Sequence, residues 1–216
     1  MKSPSTGARM KWSAIALIVA GVFFVLYPAL RPFSDEVSLQ GAAAFASPYW
    51  LAAHMLAMIA FSLLVIGLLG LHEAMMASQS ERGAYAALVL GILGVGLTLP
   101  FYGGEANGLH AIGQEALRQQ DAGLLSLAAV IRGAPGLYMF LIGLLLLAAS
   151  GIVAAVTLWR ADDFPKWSGV PCAVAMALYI PQFFGAQPLR VAHGVLLAIG
   201  CIWIAAILWG HGSKGR

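Results

Sequence analysis

Charged residues divide the chain into long uncharged stretches. From one ionised side chain to the next, the uncharged windows run 12–30, 37–72, 83–104, 133–159, 167–189 and 191–213. Each holds at least 19 residues, and about 20 apolar residues cross the hydrocarbon core of a bilayer as an α-helix. The apolar runs are continuous and do not alternate with a period of two, which selects helices over a barrel. The pattern predicts an all-α, polytopic transmembrane helix bundle with spans at 12–30, 48–71, 83–103, 135–159, 167–184 and 188–210. Ser47-Pro48 and Gln187-Pro188 mark two of the starts, since the missing proline N–H is harmless in a first helical turn. Between the third and fourth spans, Leu109, Ile112 and Leu117, then Leu124, Leu127 and Ile131, predict an interfacial helical loop over 105–132. Gly103-Gly104 reads as a short break after the third span. No linker or low-complexity tract interrupts the order, so residues 1–216 read as one integral membrane domain.

Composition agrees. Of 216 residues, 61% are hydrophobic and 10% charged, against roughly 25% charged in soluble domains. The net charge of +3 comes without any basic run, and no nucleic-acid partner is indicated. Cys172 and Cys201 both fall inside apolar runs and read as small core side chains rather than a disulfide or thiol site. Lys2, Arg9 and Lys11 resemble the n-region of a signal peptide, but Trp12–Leu30 is long for an h-region and Ala44-Phe45-Ala46 lies far beyond it. The first span is therefore expected to be retained; cleavage would leave five. Glycines at 67, 70, 91, 94 and 194 predict close helix packing.

Loop charges set the expected orientation. An N-terminus inside places Lys2, Arg9, Lys11, Arg82, Arg160, Lys166, Lys214 and Arg216 in the cytoplasm, against Arg31, Arg118, Arg132 and Arg190 outside. Eight against four predicts N-in/C-in, with the cell (inner) membrane as the expected location. Trp12, Tyr85, Trp159, Trp167 and Trp209 would mark the inner interface, and Tyr27, Tyr49, Trp50, Tyr102 and Tyr138 the outer one.

An ionisable side chain inside a bilayer is costly and is a functional candidate by default. His54 follows Pro48 by six residues and His193 follows Pro188 by five, which places both one and a half to two turns below the outer surface. Tyr102 and Glu105 close the third span, with His110 shortly beyond. Gln182 ends the fifth, and Arg190 shares a helix face with His193. His54, Tyr102, Glu105, His110, Gln182, Arg190 and His193 thus come from four spans and converge at one depth. They predict a polar pocket open to the outer face.

Four readings of that pocket follow. Three imidazoles and Glu105 are ligand types for zinc or a similar transition metal, although their spacing is no recognised metal motif. His54 and His193 would also supply axial nitrogens to a b-type haem, each with a second histidine, His72 or His211, eighteen residues on. In a third reading Arg190 holds an anionic group of a small solute, lipid or quinone, which the other side chains hydrogen-bond. Breaks at Pro100 and Pro181 would then supply the unwound backbone of a transporter. In the fourth, the polar groups cap carbonyls, Arg190 snorkels or pairs with Glu105, and the protein is an accessory or assembly subunit. A membrane partner or a homo-oligomer fits that reading. Glu115, Arg118 and Asp121 read as the wet side of the interfacial helix. No nucleophile elbow, phosphate loop, C-x-x-C or HExxH is present.

Overall fold

The computed structural model describes residues 4–213, so Lys2, Lys214 and Arg216 lie outside it. Helix α1 (Pro4–Leu30) leads through a short strap to α2 (Leu39–Ala46) and α3 (Pro48–Met75). Next comes a continuous helical rod: α4 (Glu81–Gly103), a π-helical turn (Gly104–Gly108) and α5 (Leu109–Gln119). A 3-10 turn (Ala122–Ser126) and α6 (Leu127–Ile131) lead into α7 (Gly136–Arg160). The chain ends with α8 (Val170–Ala177), a 3-10 turn (Pro181–Phe184) and α9 (Gln187–Ser213). The protein is an all-α bundle, and five of its helices are long and apolar enough to cross a membrane.

The five long helices and α8 form a ring in which α9 packs on α1, α1 on α3, α3 on α4, α4 on α7, α7 on α8 and α8 back on α9. Lipid-like solvent offers no hydrophobic drive between helices, so close backbone approach has to supply dispersion contacts. Gly194 shows the requirement: a Cβ there would stand 2.4 Å from the carbonyl oxygen of Phe24 on α1. Gly94 and Gly143 do the same for α4 and α7, each lying within 2.9 Å of the other's carbonyl oxygen when given a Cβ. Outward, the helices present large apolar side chains such as Ile92, Leu145 and Ile199.

The fifth expected span, 167–184, is the one that does not form a long helix. It follows α7 from end to end, with Trp167 against Trp159, Gly169 against Ala155, and Phe183 against Phe140. Yet α8 stops at Ala177, and Tyr179 and Phe183 make tight i→i−3 backbone bonds into the Pro181 turn. Proline has no N–H to continue the ladder, and the helix breaks before it.

Elsewhere the expected breaks are absent. The backbone stays helical through Pro100 and across Gly103-Gly104. These glycines make room rather than a hinge: a Cβ at Gly104 would sit 3.0 Å, and one at Gly108 2.6 Å, from the side chain of Ile131. The 105–132 region forms a cap over one end of the ring. Leu109 and Ala116 on α5, Ala42 and Phe45 on α2, Trp50 on α3 and Leu125 bury one another in a small second core. Helix α2 was not expected from the apolar pattern. Asp35 accepts from the N–H groups of Val37 and Ser38 and from the Ser38 hydroxyl, and Ser38 caps α2 through Gln40 and Gly41.

Of the expected aromatic belts, Trp12, Tyr85, Trp159, Trp167 and Trp209 are exposed at one end, and Tyr49 and Tyr138 at the other. Tyr27, Trp50 and Tyr102 are buried instead. They turn inward because the cap covers that end: Trp50 joins the core of the cap, and Tyr27 and Tyr102 line a cavity beneath it.

Candidate functional site

The cavity measures about 460 Å³ and lies between the strap, the cap and the ends of α1, α3, α4, α7 and α9. Its floor is aromatic and hydroxylated. The Tyr102 and Tyr179 hydroxyls meet at 3.1 Å, and the Tyr27 ring lies edge-on to both His54 and Tyr102. One wall is apolar: Phe101 stacks on Phe140 with centroids 4.2 Å apart, and Phe183 follows at 5.9 Å.

The opposite wall carries charge. Arg132 grips Glu105 with two guanidinium nitrogens, one of them at 3.0 Å, and reaches Glu36 at 2.6 Å. Glu36 also receives Arg31 at 3.2 Å. The Arg31 and Glu105 side chains are each only 10% exposed, and such charges persist in a poor solvent because each neutralises the next. Burial works against the Arg132 charge, but the hydrogen bonds and charges of Glu105 and Glu36 outweigh it and raise its pKa above the ordinary arginine value. Arg31 is further sandwiched between the rings of Phe33 at 4.7 Å and Trp50 at 4.4 Å.

The π-helical turn delivers Glu105 to this wall. A wider turn frees a backbone carbonyl from the helical ladder, and Trp50 Nε1 donates to the Glu105 carbonyl at 2.7 Å. His54 is held just as firmly. A carbonyl only accepts, so the Nδ1–H of His54 donates to Trp50 at 2.8 Å, which leaves Nε2 facing a Glu105 oxygen 3.7 Å away.

Four of the seven residues expected in the pocket line it: His54, Tyr102, Glu105 and Arg190. The other three do not. His110 bonds the Phe45 carbonyl at 2.9 Å and Gln114 at 3.1 Å, tying α5 to α2. His193 donates through Nε2 to the carbonyl of Ala175 at 2.7 Å, near the end of α8. Gln182 and His193 border a separate lateral hollow of about 360 Å³ with Leu178, Pro181, Leu189, Ala192 and Leu196. Arg190 does not pair with Glu105. Its Nε and Nη2 donate to the carbonyls of Gly185 at 3.0 Å and Phe183 at 2.6 Å.

Comparison with known proteins finds no family model, curated protein or solved structure that matches the chain. The geometry has to speak alone. It speaks against both cofactor arrangements. Among the described residues no three His, Cys, Asp or Glu side chains come together as a metal site. Between the two histidines proposed as haem ligands, Tyr27, Tyr102 and Tyr179 form a chain of packed rings. The partner histidines are turned away: His211 stacks flat on Phe164 at 4.4 Å, and His72 lies 3.7 Å from Glu81.

Arg31, Phe33, Glu36 and Arg132 were missed in the sequence, as was the role of Tyr27. Arg31 and Arg132 carry the one signal that was legible, a basic residue beside a span on the side with fewer of them. Cys172 and Cys201 are buried and unlinked. Glu115 and Arg118 pair with each other on the exposed face of α5.

Proposed function

We propose that the chain is a multi-pass protein of the cell (inner) membrane, N-in/C-in, whose capped end faces outward and binds or transports a small amphipathic molecule. The observation that carries this reading is the cavity: about 460 Å³, with ionised side chains along one wall and phenyl rings along the other. That size lies in the range of small-molecule sites, which are concave, largely apolar and orient their occupant with a few polar groups. A charge network is expensive to hold beside an apolar core, and structure alone gives no reason to arrange it around a hollow.

A second reading keeps some support. His54, His110, His193 and Arg190 each hydrogen-bond a backbone carbonyl, as they would in an accessory or assembly subunit. A cavity-filling variant separates the two. Ser34 lines the cavity from the strap, and Ser34→Trp places an indole in it. Native mass spectrometry of protein released from its own membranes is expected to show a small-molecule adduct on the wild type that Ser34→Trp lacks. Identical spectra together with a co-purifying larger partner would favour the accessory subunit. Orientation is checked with Val37→Cys, since Val37 is 74% exposed on the strap while both native cysteines are buried. An impermeant thiol reagent is expected to label it on intact cells; labelling only after lysis would reverse the topology.

A further inference from the structure

The charges around the cavity do not balance. Three guanidinium groups line it, those of Arg31, Arg132 and Arg190, but only two carboxylates, Glu36 and Glu105. Both carboxylates are already engaged: Glu105 by Arg132, and Glu36 by Arg31 and Arg132. A second proton on His54 would only enlarge the excess. Arg190 is the group left over. Among the described residues it has carbonyl partners but no carboxylate partner, and carbonyl dipoles orient a cation without cancelling its charge.

Two further observations locate the deficit. The guanidinium carbons of Arg31 and Arg190 both lie over Phe33, at 4.7 Å and 5.2 Å from its centroid. Two half-buried cations beside one ring repel each other through a medium less polar than water. From that place the cavity runs on to Phe101, Phe140 and Phe183, whose rings offer apolar contact surface.

We infer that the pocket's occupant is an amphipathic monoanion, with a singly charged acid group between Arg31 and Arg190 and an apolar body along the Phe101–Phe140–Phe183 wall. This rests on the pocket reading above and narrows it. One negative charge brings the site to neutrality, and arginine's planar fork suits a carboxylate. A neutral quinone would leave Arg190 uncompensated. An amphipathic cation would add a fourth positive charge.

The test uses three water-soluble probes of one chain length: octanoate, octanamide and octylammonium. Each is titrated into the intact protein in nanodiscs, and ligand-dependent thermal stabilisation is read. Octanoate is expected to bind at least tenfold more tightly than octanamide, with no stabilisation by octylammonium. Arg190→Gln is expected to bring octanoate down to the octanamide level while octanamide binding persists. Because Arg190 also holds two carbonyls, a second variant guards against misfolding. Phe33→Glu, on the exposed strap, supplies the missing charge from within and is expected to raise the melting temperature while abolishing the preference for octanoate. Equal binding of octanoate and octanamide by the wild type would overturn the monoanion and leave the pocket reading intact. If none of the three stabilises the wild type, the pocket reading falls and the inference with it. An octanoate preference that survives in Phe33→Glu would also overturn the assignment to Arg31 and Arg190.

Discussion

The two ends of the bundle hold hollows of nearly equal size that treat charge in opposite ways. At the capped end a cavity of about 460 Å³ is ringed by Arg31, Glu36, Glu105, Arg132 and Arg190. At the other end a groove of about 450 Å³ is bordered by Gln79, Ser80, Arg82, Thr157 and Arg160, over apolar Ile152, Val153 and Val156. Arg82 and Arg160 are exposed and make no ion pair among the described residues. Volume therefore does not distinguish a site. Water solvates an exposed guanidinium at no structural cost, whereas a half-buried one recruits carboxylates, carbonyls and rings until it is accommodated. Of the two hollows, only the capped one shows that investment among the described residues.

The sharpest way to break the comparison is to remove one charge from each end. Glu105→Ala leaves Arg132 half-buried beside an empty place and is expected to cost about 3–5 kcal/mol. Arg160→Ala removes an exposed guanidinium from the other end that makes no ion pair among the described residues, and is expected to cost no more than about 0.5 kcal/mol. Thermal unfolding in detergent measures both; equal losses would erase the distinction between the ends.

A smaller effect is expected at His193, which now reads as a support of the fold. His193→Ala strips the Ala175 carbonyl of its imidazole donor, at about 1–3 kcal/mol. Hydrogen exchange is expected to accelerate over the broken segment 175–184 and to stay unchanged around His54. Acceleration around His54 instead would mean that the two histidines act as one unit.

The smallest effect belongs to the strap. Hydrogen bonds from Val37 and Ser38 hold the Asp35 carboxyl below its usual pKa. A depressed folded value means that its contribution is present above the unfolded pKa, about 4, and is lost as pH falls through the lower folded value. Asp35→Asn is therefore expected to melt slightly below the wild type at neutral pH. The gap is expected to close as the pH drops below about 4.

What the sequence made legible follows from which signals are local. Five of the expected spans coincide with long apolar helices, because the absence of charge over some twenty residues is itself the physical requirement for crossing. The segment 167–184 met the same requirement in composition but not in backbone, since Pro181 interrupts it near its end. Helix α2 escaped because eight residues are too few for a span. In the pocket, His54, Tyr102, Glu105 and Arg190 were found from depth alone. Arg132 and Glu36 were not, because they meet across 96 residues and nothing near either one encodes the other. Histidine was over-read for the opposite reason: an imidazole satisfied by a backbone carbonyl looks the same in sequence as one reserved for a ligand.

The π-helical turn at Gly104–Gly108 sets the phase of everything after it. One surplus residue in a helix advances its azimuth by about 100°. Leu109, Gly113 and Ala116, the edge of α5 that is buried, meet α2 because of that advance. Deleting a single residue from the turn would leave an unbroken helical rod, yet rotate that edge away from α2. The cap would lose its partner surface and the cavity its roof, through a change of angle rather than of any side chain.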